Sequence, residues 1–316
     1  MHTVYLEHFG GPEVLRTRPA EPCDPGPDDV LVRAMFATVN PTDVLLRSGA
    51  QAALVESPDG PWIPGMELSG TVERLGQDYA GPLAVGDNVI GIINSRRTDG
   101  GAQSGWICAP SSWFAKAPAS VAAPEAATLA MNGVTAIMVL EHLLDEKAST
   151  VLVTGAAGAL GAYVVQLAAA HDLTVIGLGR PGDAELIAQS GAAHVLSSDD
   201  SLLDRVHEVA PDGVDVVVDA ALLMGEARSA ARRGGLIVNV RPTEPVDDDR
   251  RSATVSVMQR IGDTDALRAV VSWAEQGVLR PKVNRVLPAG AAQEAYRLVE
   301  RGGLRGRVVL DLTEDA

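Results

Sequence analysis

The spacing of hydrophobic and polar positions changes character twice along this chain. Up to about residue 118, apolar residues come in short β-type runs at 30–34, 70–74 and 88–91. Turn-forming clusters separate them, such as Gly10-Gly11-Pro12, Asp24-Pro25-Gly26-Pro27 and Val85-Gly86-Asp87. Short strands with frequent turns predict a β-rich, barrel-like unit. From Pro124 the spacing becomes helical, over 125–130 and again over 135–144. Strands at 151–153, 174–177, 194–196, 214–218 and 236–238 then alternate with helices over 160–170, 184–189, 202–209 and 226–232. Unbroken β-branched runs in this order predict a parallel sheet covered on both faces. A helix at 264–276, a strand at 283–286, a helix at 291–300 and a strand at 307–312 complete the pattern.

The most informative stretch is residues 151–161, VLVTGAAGALG. An apolar strand runs into a glycine-rich turn, and a helical pattern follows at once. The first N–H groups of such a helix have no partner within it and point outward, with the positive end of the helix dipole behind them. That is an anion site. Gly155, Ala156, Ala157, Gly158, Ala159, Leu160 and Gly161 are therefore expected to hold a pyrophosphate. Gly158 would allow close backbone approach and Gly161 tight packing of helix on strand. The G-x-G-x-x-G pattern is imperfect, because Ala156 stands where its first glycine would be.

At the end of the second strand of such a unit, an acid binds a ribose 2′-hydroxyl and an arginine receives a 2′-phosphate. Here the chain reads Gly177-Leu178-Gly179-Arg180-Pro181, with no acid before Asp183. Gly179 and Arg180 thus point to NADPH, the arginine forking onto the phosphate.

Composition sets outer limits. A chain of 316 residues exceeds one typical core, so two domains are expected. The net charge of −15 supplies no basic stripe for a nucleic-acid backbone. The acidic triplet Asp247-Asp248-Asp249 reads as a solvated loop. No run of about 18 apolar residues or secretory leader is seen, so no membrane partner is expected. Cys23 and Cys108 stand far apart without CxxC or Cys/His clustering, which reads as a reduced, cytoplasmic setting and no metal framework.

Several separated motifs, taken together in their order, resemble the medium-chain dehydrogenase/reductase superfamily, in its zinc-free, quinone oxidoreductase-like (zeta-crystallin-like) branch. They are Val39-Asn40-Pro41-Thr42-Asp43, Ile63 to Gly70, Val85 to Val89, Gly133-Val134-Thr135-Ala136, the loop Gly155 to Gly161, Gly213 to Val217 and Gly306 to Leu310. The resemblance implies an α/β protein. A GroES-like β-rich catalytic domain (1–121 with 262–316) would flank a Rossmann, doubly wound parallel-sheet domain (122–261), with the cofactor in the cleft. It also implies a homodimer.

Catalytic zinc needs three protein ligands around an open position. The first-ligand region holds Asn40-Pro41-Thr42-Asp43 without a cysteine, and Met66 stands where the zinc enzymes carry histidine before Glu67. No metal site is expected, and Glu67 reads as a buried structural hydrogen bonder in preference to a catalytic carboxylate. Without a metal, hydride transfer suits a quinone, enone or enoyl substrate, whose developing charge delocalises onto a conjugated oxygen.

The resemblance puts Asn40 beside the nicotinamide as the donor to that oxygen, with capping of the following turn as its alternative. Asp43 reads as a structural cap. Thr135 would lie under the nicotinamide or its ribose, or else be a helix-interior hydroxyl. Ala220, Asn239, Val240 and Arg241 complete the expected cofactor contacts. Val240-Arg241 departs from the usual glycine, so the pocket is reshaped there or Arg241 binds an acidic substrate group. A redox-silent relative, using the site for ligand binding or for non-redox cyclisation or dehydration, is the competing reading.

Overall fold

The computed structural model describes residues 1–199, 201–243 and 249–314. Asp247 and Asp248 of the acidic triplet lie outside these, while Asp249 pairs with exposed Arg233 at 2.7 Å. The chain forms two compact units. One comprises Met1–Met131, Arg260–Gln276 and Pro281–Ala316; the other comprises Asn132–Gln259 and Gly277–Arg280. The sequence boundaries of 121 and 262 differ from these by ten residues at the first junction and two at the second.

The first unit is built on a mainly antiparallel sheet. Its longest strand, Asp29–Val39, pairs with Glu67–Leu75 on one edge and with Arg307–Asp311 from the far end of the chain. Trp106–Pro110 also pairs with its first half, setting Leu31 opposite Cys108. Alternating Val30, Val32 and Ala34 are buried together with Val72, Ile107, Val308 and Leu310 in one core. The strand ends where Pro41 starts the helix Pro41–Arg47, at its first position, where a missing N–H costs nothing.

Cys23 lies six residues ahead of the strand start at Asp29, so the pairing of Asp29 with Pro110 draws it to Cys108. The two form a disulfide with their Cα atoms 6.1 Å apart. The sequence reading left the two cysteines apart, because only tertiary pairing brings together residues separated by 85 positions. Chain-entropy reasoning gives such a loop about 4–5 kcal/mol of stabilisation. Thermal unfolding with and without dithiothreitol should show a lower Tm on reduction, and an unchanged Tm would remove the cross-link from the stability account.

The second unit carries a six-stranded parallel sheet. From one edge its strands run His194–Ser197, Thr174–Gly179, Thr150–Thr154, Val214–Asp219, Ala231–Asn239 and Arg251–Thr254. In order of appearance this is 3-2-1-4-5-6, the doubly wound arrangement. Val151–Val153 and Val216–Val218 are fully buried, as central parallel strands must be.

Two details depart from the sequence pattern. The helix expected over 226–232 stops at Ser229, because the chain pairs Ala231 with Val214 and starts its strand early. The edge strand Arg251–Thr254 was not foreseen, since its RSAT sequence is polar and exposed. No helix among the described residues is long and apolar enough to cross a membrane.

Candidate functional site

The strand order reverses between Thr150–Thr154 and Val214–Asp219, whose ends align with Thr154 opposite Asp219. Ligands of open α/β sheets lie beyond the carboxyl ends at such a switch point. Two loops leave there, 155–158 and 220–224. In the first, Gly155 takes φ +61°, and Gly158 caps the helix Ala159–Ala170 in an extended conformation. Ala162 N–H donates to Gly158 O, so the N–H groups of Ala159, Leu160 and Gly161 lack a partner within the helix. A Cβ on Gly161 would sit 2.2 Å from Gly155 O, which fixes glycine at this position and seats the helix against the turn. Ala156 is buried and donates its N–H to Leu178 O, whereas Ala157 remains partly exposed with Ala159 and Leu160.

The second loop is held by a buried pair that sequence reading missed. Thr154 Oγ1 donates to Asp219 Oδ1 at 2.7 Å and accepts from Ala221 N–H at 2.9 Å. The Asp219 carboxylate accepts from the N–H groups of Leu223 and Met224. This network sets the half-buried Ala220 and its neighbours beside Gly155. An acid ending an otherwise apolar strand was the available signal.

Arg180 is exposed at the end of Thr174–Gly179. Asp183, the nearest acid, is buried and accepts from Arg180 N–H at 3.0 Å, so it is turned into the backbone and away from solvent. Gly179 is buried too. A Cβ there would meet Ile187 at 2.4 Å, so this glycine serves helix packing. Beyond the fifth strand, Val240 is half-buried and Arg241 exposed. Asn239 is buried, and its amide donates to Ser252 Oγ at 2.8 Å, tying in the edge strand. Thr135 is buried within the helix Ala130–Asp145.

In the first unit, Asn40 is fully buried. Its Nδ2 donates to Thr38 Oγ1 at 2.9 Å, and its Oδ1 accepts from Arg307 Nη2. Arg307 also pairs with Glu67 Oε1 at 2.7 Å. That same oxygen accepts from the Thr38 hydroxyl at 2.8 Å, while Glu67 Oε2 accepts from Met131 N–H at 2.9 Å. Asn40 Nδ2 also donates to Glu67 Oε1 at 3.4 Å. Its amide is engaged inside the network, which ties the strand end at Val39 to Arg307 and Glu67.

Arg307 was missed as a site residue. A lone arginine opening an apolar strand, with a lone glutamate in another apolar motif, was the sign of a buried pair. Asp43 closes the same region. Its Oδ2 accepts from Asn40 N–H at 2.7 Å and its Oδ1 from Gly65 N–H at 3.0 Å. Burial pushes its carboxyl up to about 7, against the pull of those two N–H groups and of Arg307.

Residues 26–119 match the alcohol dehydrogenase GroES-like domain family, and residues 190–310 match the family described as zinc-binding dehydrogenase. The human quinone oxidoreductase is 26% identical over 98% of this chain and 97% of its own length. A mouse synaptic vesicle membrane protein VAT-1 homolog-like is also 26% identical, covering 99% of this chain and 81% of its own length. A mycobacterial protein solved in complex with NADPH superposes with a TM-score of 0.85 at 26% identity, over 98% of this chain and 99% of that one.

These matches fit the medium-chain dehydrogenase/reductase superfamily. Within it, this protein fits the quinone oxidoreductase-like branch, with the GroES-like and Rossmann parts the branch requires. The zinc in the second family's name does not suit the residues here. Asn40 and Met66 hold the ligand positions, Glu67 is bound by Arg307, and the two cysteines are bound to each other. Among the described residues no three His, Cys, Asp or Glu side chains converge as metal ligands.

Proposed function

We propose that this protein is an NADPH-dependent oxidoreductase that works without zinc and reduces a quinone or an activated C=C bond of an enone or enoyl compound. The observation that carries the reading is the pairing of a glycine-built anion site with an exposed Arg180 whose neighbouring acid is sequestered. When bound, NADPH supplies the hydride. The first-turn N–H groups of Ala159 to Gly161 hold its pyrophosphate, and Arg180 holds the 2′-phosphate. Thr135 contributes to the nicotinamide end. Arg241, exposed just past the fifth strand, meets an acidic group of the substrate. The network of Asn40, Thr38, Glu67 and Arg307 fixes the strand end at Val39 and donates nothing to the substrate itself. Solvent then supplies the proton. A homodimer in the cytoplasm accompanies this reading.

Arg180→Ala is expected to weaken NADPH binding about 10–100-fold, the worth of a charged phosphate contact, and to leave NADH nearly unchanged. Titration calorimetry with both nucleotides measures this. Equal affinity of the intact protein for the two would overturn the assignment.

The burial of Asn40 is the observation that favours the competing reading of a redox-silent member, because it removes the one donor the motif offered. Following the loss of NADPH absorbance against a panel of quinones and enones separates the two. Tight NADPH binding without turnover on any acceptor would favour the silent member.

A further inference from the structure

The loop after Asp219, within the second unit, holds two residues in backbone conformations that non-glycine side chains rarely adopt. Leu222 takes φ +60°. Met224 takes φ +58° with ψ −119°, the first-corner geometry of a type II′ turn, where glycine dominates. Such strain persists only where the surroundings over-determine it, and it gathers at ligand clamps and switches. Here the restraint comes from one buried side chain. Asp219 Oδ1 accepts from Leu223 N–H at 3.0 Å and from the Thr154 hydroxyl at 2.7 Å, while Oδ2 accepts from Met224 N–H at 2.8 Å. A carboxylate makes stronger bonds to N–H groups than a neutral acceptor does, so this one can hold the loop against its own backbone.

The strained loop leaves large apolar side chains in solvent. Leu223 is 37% exposed and Met224 49%, two of only six large hydrophobic side chains so exposed among the described residues. Ala221, just ahead of them, stands against the glycine turn. Its N lies 3.5 Å, and its Cβ 3.3 Å, from the place that a Cβ on Gly155 would occupy. The loop thus begins at the edge of the anion site, and the exposed pair follows within three residues. Straining a backbone to keep two adjacent apolar side chains wet does nothing for the fold. It makes sense where a ligand covers them.

We propose that Asp219 is a positioning residue for the dinucleotide. It holds loop 220–224 in its strained form before the nucleotide arrives, and Leu223 and Met224 then cover the bound molecule beside its pyrophosphate. The inference rests on the reading of 155–161 as an NADPH site. Holding the loop beforehand moves its ordering cost from binding to folding, which leaves more of the contact energy as affinity. Arg180 follows the strand Thr174–Gly179, on the other side of Thr150–Thr154 from Val214–Asp219. The loop and the 2′-phosphate therefore flank the glycine turn from opposite sides, and the loop meets a part that NADH and NADPH share.

The test is titration calorimetry of the full chain with NADPH and with NADH, at a temperature where circular dichroism shows each variant folded. Asp219→Asn loses an acceptor for one of the two loop N–H groups. It should weaken both nucleotides by the same factor of about ten, the effect of having to order one or two freed side chains on binding. Arg180→Ala, by contrast, weakens NADPH alone. Met224→Gly relieves strain and keeps the test open if Asp219→Asn does not fold. Its Tm should rise by about 2 °C, yet both nucleotides should bind about threefold more weakly because part of the cover is gone. If the intact protein binds nucleotide and both variants match it, Asp219 only shapes a turn; the proposal is then overturned and the NADPH site stands. A lower Tm for Met224→Gly would remove the strain on which the proposal is built. No binding of either nucleotide by the intact protein would overturn the cofactor reading, and this inference with it.

Discussion

Replacing Arg307 by methionine is expected to lower stability by about 3–5 kcal/mol, because it strands a buried carboxylate. Glu67 is fully buried and Arg307 nearly so. Their ion pair is completed by the Thr38 hydroxyl, the Met131 N–H and the Asn40 amide, so the charge is paired and hydrogen-bonded throughout. Removing the cation leaves the glutamate's desolvation unopposed. Removing both charges is a milder change: Glu67→Gln on top of Arg307→Met should recover much of the loss, since the amide carries no net charge. Urea unfolding of both variants at neutral pH measures this. A single variant costing under about 1 kcal/mol would mean that water or another group reaches Glu67. The effect on function would be indirect, because the network ends at Asn40 and the strand end at Val39, and not at a reacting atom.

This network also shows where sequence reading succeeds and where it stops. Glu67 was read as structural because it sits inside an apolar strand motif, where a charge survives only if it is paired. Its partner lies 240 positions away and could not be named from spacing. The strand, glycine turn and helix at 151–161 were legible in full, since all three are local and obey local steric rules. The disulfide was illegible for the same reason as Arg307: it depends on strand pairing between distant segments. The partners of the Asn40 amide were illegible too, because its motif fixes where the backbone turns, while Arg307, from the far end of the chain, decides which way its amide points. The same holds for the Asn239 amide, which bonds an edge strand whose polar sequence gave no β signal.

Asp43 carries the second large effect, and its sign follows from burial. The folded protein holds its carboxyl at about 7, well above the ordinary 3.8, first because burial disfavours the charge and in spite of N–H bonds from Asn40 and Gly65. A group whose pKa is raised on folding contributes stability that is fully present below the unfolded value and is lost as pH rises through the folded one. Asp43 should therefore stabilise the fold at pH 4 and contribute almost nothing above pH 8.

Asp43→Asn cannot ionise and loses this dependence, although its amide satisfies only one of the two N–H groups and costs about 1–3 kcal/mol. The unmutated protein's advantage over the variant should then shrink by about 2–3 kcal/mol between pH 5 and pH 8, from the 1.36 kcal/mol that each pKa unit represents. Urea unfolding across that range reads the difference directly. An advantage that grows with pH would mean that the two N–H bonds and Arg307 outweigh burial, and that Asp43 is ionised in the fold. In that case the carboxylate is an anion held beside Glu67, and Arg307 must be neutralising both. Arg307→Met would then become more damaging as pH rises, whereas with Asp43 protonated its cost is set by Glu67 alone.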